Sequence, residues 1–167
     1  MILEVRGLRS GYGKSIVCSD IDLEIEKGER VCLLGRNGVG KTTLLKVILG
    51  LIKPVNGTII FNKDLLKRNK IGYLPQMSAG DNSFPVTVMD VVLSGLMIRK
   101  SVMARITAED RRKADNVIEE LGLREIRKSP LNELSGGQLQ RMFLGRAIIG
   151  SPALLLLDEP DNFVDAS

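Results

Sequence analysis

The sequence predicts an α/β protein with three parts: a core on a parallel sheet, an N-terminal antiparallel β subdomain and an inserted helical lobe. Three observations carry that prediction. Val31-Cys32-Leu33-Leu34 and Leu154-Leu155-Leu156-Leu157 are unbroken apolar runs of strand length, the pattern of strands covered on both faces. Residues 2–6 and the end of the stretch 16–25 alternate apolar and polar side chains on either side of a Gly11-Tyr12-Gly13 turn, as half-buried strands do. Residues 87–123 switch to helical spacing.

The elements follow in order. Leu3 and Val5 alternate with Glu4 and Arg6 over residues 2–6, and Ile21, Leu23 and Ile25 alternate near the end of a second strand over 16–25. Lys27-Gly28-Glu29 is a turn before the apolar run at Val31. A helix is expected from Lys41 to about Leu51, with Leu44, Leu45, Ile48 and Leu51 on one face, ended by Lys53-Pro54-Val55-Asn56-Gly57. Thr58–Phe61 and Ile71–Leu74 are short strands. In the helical stretch, Val88, Val91, Val92 and Leu96 form one stripe. Thr107 and Asp110 have capping-box spacing ahead of Ala114, Val117, Ile118 and Leu121, and Gly122 stops that helix. A further helix over 138–149 turns Leu139, Met142, Phe143 and Ala147 inward, and Ala153–Leu157 is a second fully buried strand.

Composition narrows the function. The 167 residues are 44% hydrophobic, enough for one core with a small appended lobe. Lys+Arg 24 against Asp+Glu 20 leaves +4, scattered in short clusters such as Arg111-Arg112-Lys113, and aromatics are only 4%. A nucleic-acid reader concentrates its charge and interleaves stacking rings, so no nucleic-acid partner is expected. Cys18 and Cys32 sit in apolar sequence without CxxC spacing, and the chain has no histidine. They are expected to be small buried residues in a reducing cytosol, neither metal ligands nor a disulfide. No charged-then-apolar leader opens the chain. The longest uncharged run, Ala147–Leu157, has eleven residues and is interrupted by Gly150 and Pro152. A bilayer span needs about 20 apolar residues, so any membrane role is expected to be peripheral.

The chemistry starts at Gly35-Arg36-Asn37-Gly38-Val39-Gly40-Lys41-Thr42. Glycine at 35, 38 and 40 lets the backbone wrap closely around phosphate oxygens, with amide hydrogens pointing inward. The helix that follows adds the positive end of its dipole. Lys41 neutralises β and γ phosphates in such a loop, and the Thr42 hydroxyl ligates Mg²⁺. Asn37 and Thr43 belong to the same candidate nucleotide site. A buried strand before the loop and an amphipathic helix after it complete the context of a P-loop NTPase core.

Downstream, Leu134-Ser135-Gly136-Gly137-Gln138 and the run ending Asp158-Glu159 resemble the signature motif and Walker B strand of the ATP-binding-cassette (ABC) family. The resemblance runs from Leu3 to Asp165 with the motifs in the family's order. It implies an ABC ATPase-like fold: a single domain over 1–167, with 1–86 and 134–167 as nucleotide-binding core and 87–133 as helical lobe. Ser135, Gly136, Gly137 and Gln138 would contact the γ-phosphate held by a second subunit, in a head-to-tail homodimer sandwiching two ATPs. A serine and two glycines at a helix start agree with such an anion site. Asp158, at a strand's carboxyl end, would hold Mg²⁺ with Thr42 and Gln76, and Glu159 would be the general base for the attacking water. Gln76, after Ile71-Gly72-Tyr73-Leu74-Pro75, matches the Q-loop. Tyr12 resembles the aromatic that stacks on adenine, and Asp165 aligns with the D-loop aspartate, although Asp161-Asn162-Phe163-Val164 departs from the family's usual small-polar start.

The resemblance also implies a histidine on a later strand. The chain ends at Ser167 without one, so a C-terminally truncated cassette is expected, in which ATP binding outlasts turnover. Phe84-Pro85-Val86-Thr87-Val88-Met89-Asp90-Val91-Val92 is similar to the post-Q-loop segment of importers for metal ions and metal chelates. The implied role is the ATPase subunit of such an importer, working with integral membrane permease subunits and lying peripherally on the cytoplasmic face of the membrane. Two other readings stay open: a non-hydrolysing nucleotide-binding fragment, and a soluble ABC protein tied to no permease.

Overall fold

The computed structural model describes residues 1–13, 15–63, 71–76, 86–97 and 105–159. The chain divides into two compact units, Met1–Ile71 and Gly72–Ser167.

The first unit holds an antiparallel sheet of β1 (Leu3–Tyr12), β2 (Ser15–Ile25) and β3 (Asn56–Phe61), in the order β2-β1-β3. Leu3 pairs with Ile25 on one side and with Phe61 on the other. Helix α1 (Lys41–Ile48) packs on β1 and β2. Leu44, Leu45, Val47 and Ile48 are buried, as are Leu3, Val5, Leu8, Cys18 and Ile25 from the sheet. At roughly 1.5–3 kcal/mol per fully buried aliphatic side chain, this apolar layer is the unit's main stabilising term. The strands run longer than their alternation suggested. Gly11 and Tyr12, read as a turn, belong to β1, and Tyr12 pairs with Ser15.

Three expectations fail in this unit. The helix ends at Ile48 rather than Leu51. The Leu51 N–H donates to Lys46 O (2.9 Å), the Gly50 N–H donates to Val47 O (2.9 Å), and Gly50 adopts φ 72. This glycine-ended C-cap leaves Leu51 67% exposed. The Val31–Leu34 run forms no strand, and Val31 and Leu34 are 42% and 89% exposed. A strand covered on both faces needs ladder neighbours, and among the described residues β1, β2 and β3 satisfy one another without it. Cys32 is accordingly exposed, while Cys18 is buried as expected.

The second unit pairs β4 (Ile71–Leu74) with β5 (Leu154–Leu157). The Asp158 N–H donates to Leu74 O (3.0 Å), joining the carboxyl ends of both strands, so they run parallel. Leu154 and Leu156 are buried, but Leu155 and Leu157 are 36% and 40% exposed. The expected fully buried strand is therefore half-buried. The unit also holds α2 (Val88–Met97), α3 (Ala108–Glu120) and α4 (Gly136–Ile148). One apolar cluster joins them: Val88, Val92 and Leu96 from α2, Ala114 and Ile118 from α3, and Leu139 and Met142 from α4.

Helix α3 begins as the sequence predicts. Thr107 Oγ1 accepts from the Asp110 N–H (3.2 Å), and an Asp110 carboxylate oxygen accepts from the Thr107 N–H (2.7 Å), closing a capping box. Gly122, at φ 67, ends it. Thr107→Ala is expected to lower unfolding stability by about 1 kcal/mol, read as a drop in the urea midpoint with an unchanged slope.

Candidate functional site

In the first unit the phosphate loop leads straight into α1. Its residues 35–39 are exposed. Lys41 folds back along the loop, and its Nζ donates to the carbonyl oxygens of Gly35 (2.7 Å) and Arg36 (3.1 Å). The ammonium is thus held at the loop by two neutral acceptors, which a phosphate oxygen would replace with a charge-assisted bond. No acidic side chain lies in the first turn of α1, so nothing there competes with an anion for the helix N-terminus.

Gly40, the N-cap of α1, shows why glycine is needed there. Its φ is 108, and a Cβ would lie 2.8 Å from Cys18 Sγ and 2.9 Å from Val17 Cγ1. The loop rests directly on β2. The Cys18 thiol donates to Gly40 O (3.3 Å), and burial pushes the thiol's pKa up from its ordinary value, so it stays a protonated donor. Sequence reading took Cys18 only as a small buried residue. The signal available was its place on the strand beneath a glycine-rich loop. Thr43 is 6% exposed, and Tyr12, at the end of β1, is 53% exposed.

In the second unit Asp158 follows β5 and is 3% exposed. Its backbone N–H is tied to Leu74 O, and its Oδ2 lies 3.5 Å from the Tyr73 hydroxyl. Burial first, then the Asp158 charge and this contact, push the Tyr73 hydroxyl's pKa above the ordinary tyrosine value, so it remains a donor. Gln76 and Glu159 come together as well: Gln76 Nε2 donates to Glu159 Oε2 at 2.6 Å. Glu159 adopts φ 48, a left-handed conformation uncommon for a residue with a side chain and concentrated at functional sites. Tyr73 was missed in the sequence, where it reads as one more ring in a short apolar strand.

Ser135 caps α4. Its Oγ accepts from the Gln138 N–H (3.3 Å), and Gln138 Oε1 accepts from the Ser135 N–H (2.8 Å). Ser135 is exposed, and Gly136, Gly137 and Gln138 are partly exposed, so the corner faces outward instead of packing into its own core. Asp165 and Phe84 lie outside the described residues.

The candidate magnesium donors, Thr42, Gln76 and Asp158, are all oxygen ligands, which suits a hard cation. Among the described residues no group of three or more His, Cys, Asp or Glu could hold a metal by itself.

The sequence profile described as "ABC transporter" matches residues 18–162. The chain is 40% identical to an ATP-binding protein of a metal transport system in Chlamydia pneumoniae, over 96% of this chain and 63% of that protein. It is 37% identical to the manganese transport system ATP-binding protein of Bacillus subtilis, over 99% of this chain and 67% of the relative. Among solved structures, a dimeric bacterial ABC transporter cassette superposes with a TM-score of 0.81 at 27% identity, covering 98% of this chain and 76% of that one. The chain thus spans about two thirds of the length of these curated relatives. A match over most of its residues, with phosphate loop, signature corner and strand-end carboxylates in order, makes the chain a member of the ABC transporter family.

Proposed function

We propose that this chain binds Mg·ATP and serves as the ATP-hydrolysing part of a transporter that imports metal ions. The observation that carries the reading is the exposed phosphate loop, with Lys41 drawn onto its carbonyl oxygens at the start of α1. Backbone amides around Gly35, Gly38 and Gly40 cradle the phosphates, with Asn37 and Thr43 beside them, and Tyr12 stacks on the base. Magnesium, when bound, neutralises phosphate charge, and Thr42, Asp158 and Gln76 are the residues that would hold it. Glu159 takes a proton from the water that attacks the γ-phosphorus, and ADP leaves as the bond to its β-phosphate oxygen breaks. Gln76 steers that carboxylate through its amide hydrogen.

In this reading residues 1–86 and 134–167 form the nucleotide-binding core and 87–133 the lobe. Ser135, Gly136, Gly137 and Gln138 act on the nucleotide of a second copy, and Asp165 also reaches that copy. The relatives named for metal and manganese transport support the cargo class. Integral membrane subunits would carry the ion, since no helix among the described residues is long and apolar enough to cross a bilayer. The chain would then sit peripherally at the cytoplasmic face, where ATP is available.

Calorimetry with ATP and Mg²⁺, paired with sedimentation, tests this reading. Saturable binding and ATP-dependent dimerisation are expected. Ser135→Arg should abolish the dimer while single-chain ATP affinity stays within about twofold, because the substitution places a bulky cation on an exposed corner used only in trans. A chain that shows no nucleotide binding would refute the function. A dimer indifferent to Ser135→Arg would refute the proposed use of the signature.

A further inference from the structure

Resting on the Mg·ATP reading, we propose that Tyr73 is a positioning residue for the metal site: its hydroxyl orients the Asp158 carboxylate that ligates magnesium. The contact is Tyr73 Oη to Asp158 Oδ2 at 3.5 Å, long for an O–H···O bond. Such a contact aims a carboxylate without holding it tightly, and a group that must rearrange around an arriving cation needs that freedom. Asp158 is only 3% exposed, so its direction is set by its neighbours more than by solvent.

The strand that carries Tyr73 is fixed on both sides of it. A Cβ on Gly72 would lie 2.4 Å from Ala147 O and 3.0 Å from both Leu155 Cδ1 and Pro152 Cγ, so β4 is pressed against β5 and the end of α4. Leu74 is 3% exposed and accepts the Asp158 N–H through its carbonyl oxygen. Consecutive residues of β4 therefore hold Asp158 twice, Leu74 by the main chain and Tyr73 by the side chain. Partners that orient a ligand from behind typically change metal affinity by about 10–100-fold when removed, and the long contact places Tyr73 at the low end.

The test uses the whole chain with ATP and Mn²⁺ as a paramagnetic substitute. Bound and free Mn²⁺ are separated by their electron paramagnetic resonance signal, and ATP affinity without any divalent ion is measured by a fluorescent analogue. Tyr73→Phe is expected to weaken Mn²⁺ binding in the ATP complex about tenfold. Metal-free nucleotide affinity and the thermal midpoint of the nucleotide-free chain should stay unchanged. Tyr73→Leu should show the same metal loss with a lower midpoint, since it also removes the ring. A Phe variant that matches the unmodified chain in Mn²⁺ affinity overturns the proposal, and so does one that weakens metal-free and metal-bound ATP equally. If the unmodified chain binds ATP with no metal dependence, the Mg·ATP reading falls and takes this one with it. Metal-dependent binding that ignores Tyr73→Phe removes this inference alone.

Discussion

Lys41→Ala is expected to weaken ATP binding by about two orders of magnitude or more while leaving the fold nearly intact. Lys41 Nζ donates to loop carbonyl oxygens, Gly35 O and Arg36 O, and among the described residues no acidic partner would be left buried and unpaired by its removal. The folded state therefore loses two exposed hydrogen bonds, a small matter in water. The nucleotide complex loses a cation placed among several phosphate charges. Truncating one side of a desolvated, hydrogen-bonded charge pair costs about 2–5 kcal/mol, roughly 30- to 5,000-fold in affinity. Calorimetry reads the affinity and thermal melting the fold. Lys41→Arg should rescue poorly, because a planar guanidinium cannot occupy the space of a compact ammonium that touches two carbonyl oxygens at once. ATP affinity within threefold of the unmodified chain would show that the loop does not grip phosphates as proposed.

Met142→Ala is expected to lower the stability of the second unit by about 2–5 kcal/mol, the usual range for emptying a sealed core position. Met142 is fully buried, in the cluster that also contains Val92, Ile118 and Leu139. All three helices contribute to that cluster, so none can close the void alone. Because Ser135 caps α4 and Met142 follows two turns later, looser packing should also blur the signature corner. Urea unfolding monitored by circular dichroism checks the magnitude. Arg141→Ala, one residue away but exposed, should stay within about 0.5 kcal/mol. Equal effects at 141 and 142 would mean that the helix is not anchored through its apolar face.

Much of this was legible before any coordinates. The capping box at Thr107 and Asp110, the stop at Gly122 and the stripe Val88, Val92, Leu96 are local signals, and local signals survive into the structure. The spacing of the loop glycines pointed to a backbone in close contact with something, and at Gly40 the structure shows a φ of 108 and close packing on β2. Pattern alone failed where burial depends on distant neighbours. Val31–Leu34 and Leu154–Leu157 are both wholly apolar, yet the first forms no strand and the second is covered on one face. An apolar run says that a segment can be buried, not that a partner is there to bury it. The Gln76–Glu159 and Tyr73–Asp158 contacts were equally silent, since each joins residues more than eighty positions apart.

The reciprocal bonds at the start of α4 carry one more consequence. The Ser135 oxygen already accepts a hydrogen bond from the Gln138 N–H, so one of its lone pairs is taken while its own O–H remains to donate. An approaching oxyanion would meet that O–H beside the first N–H groups of α4. Capping therefore leaves this exposed corner able to donate to a negative guest.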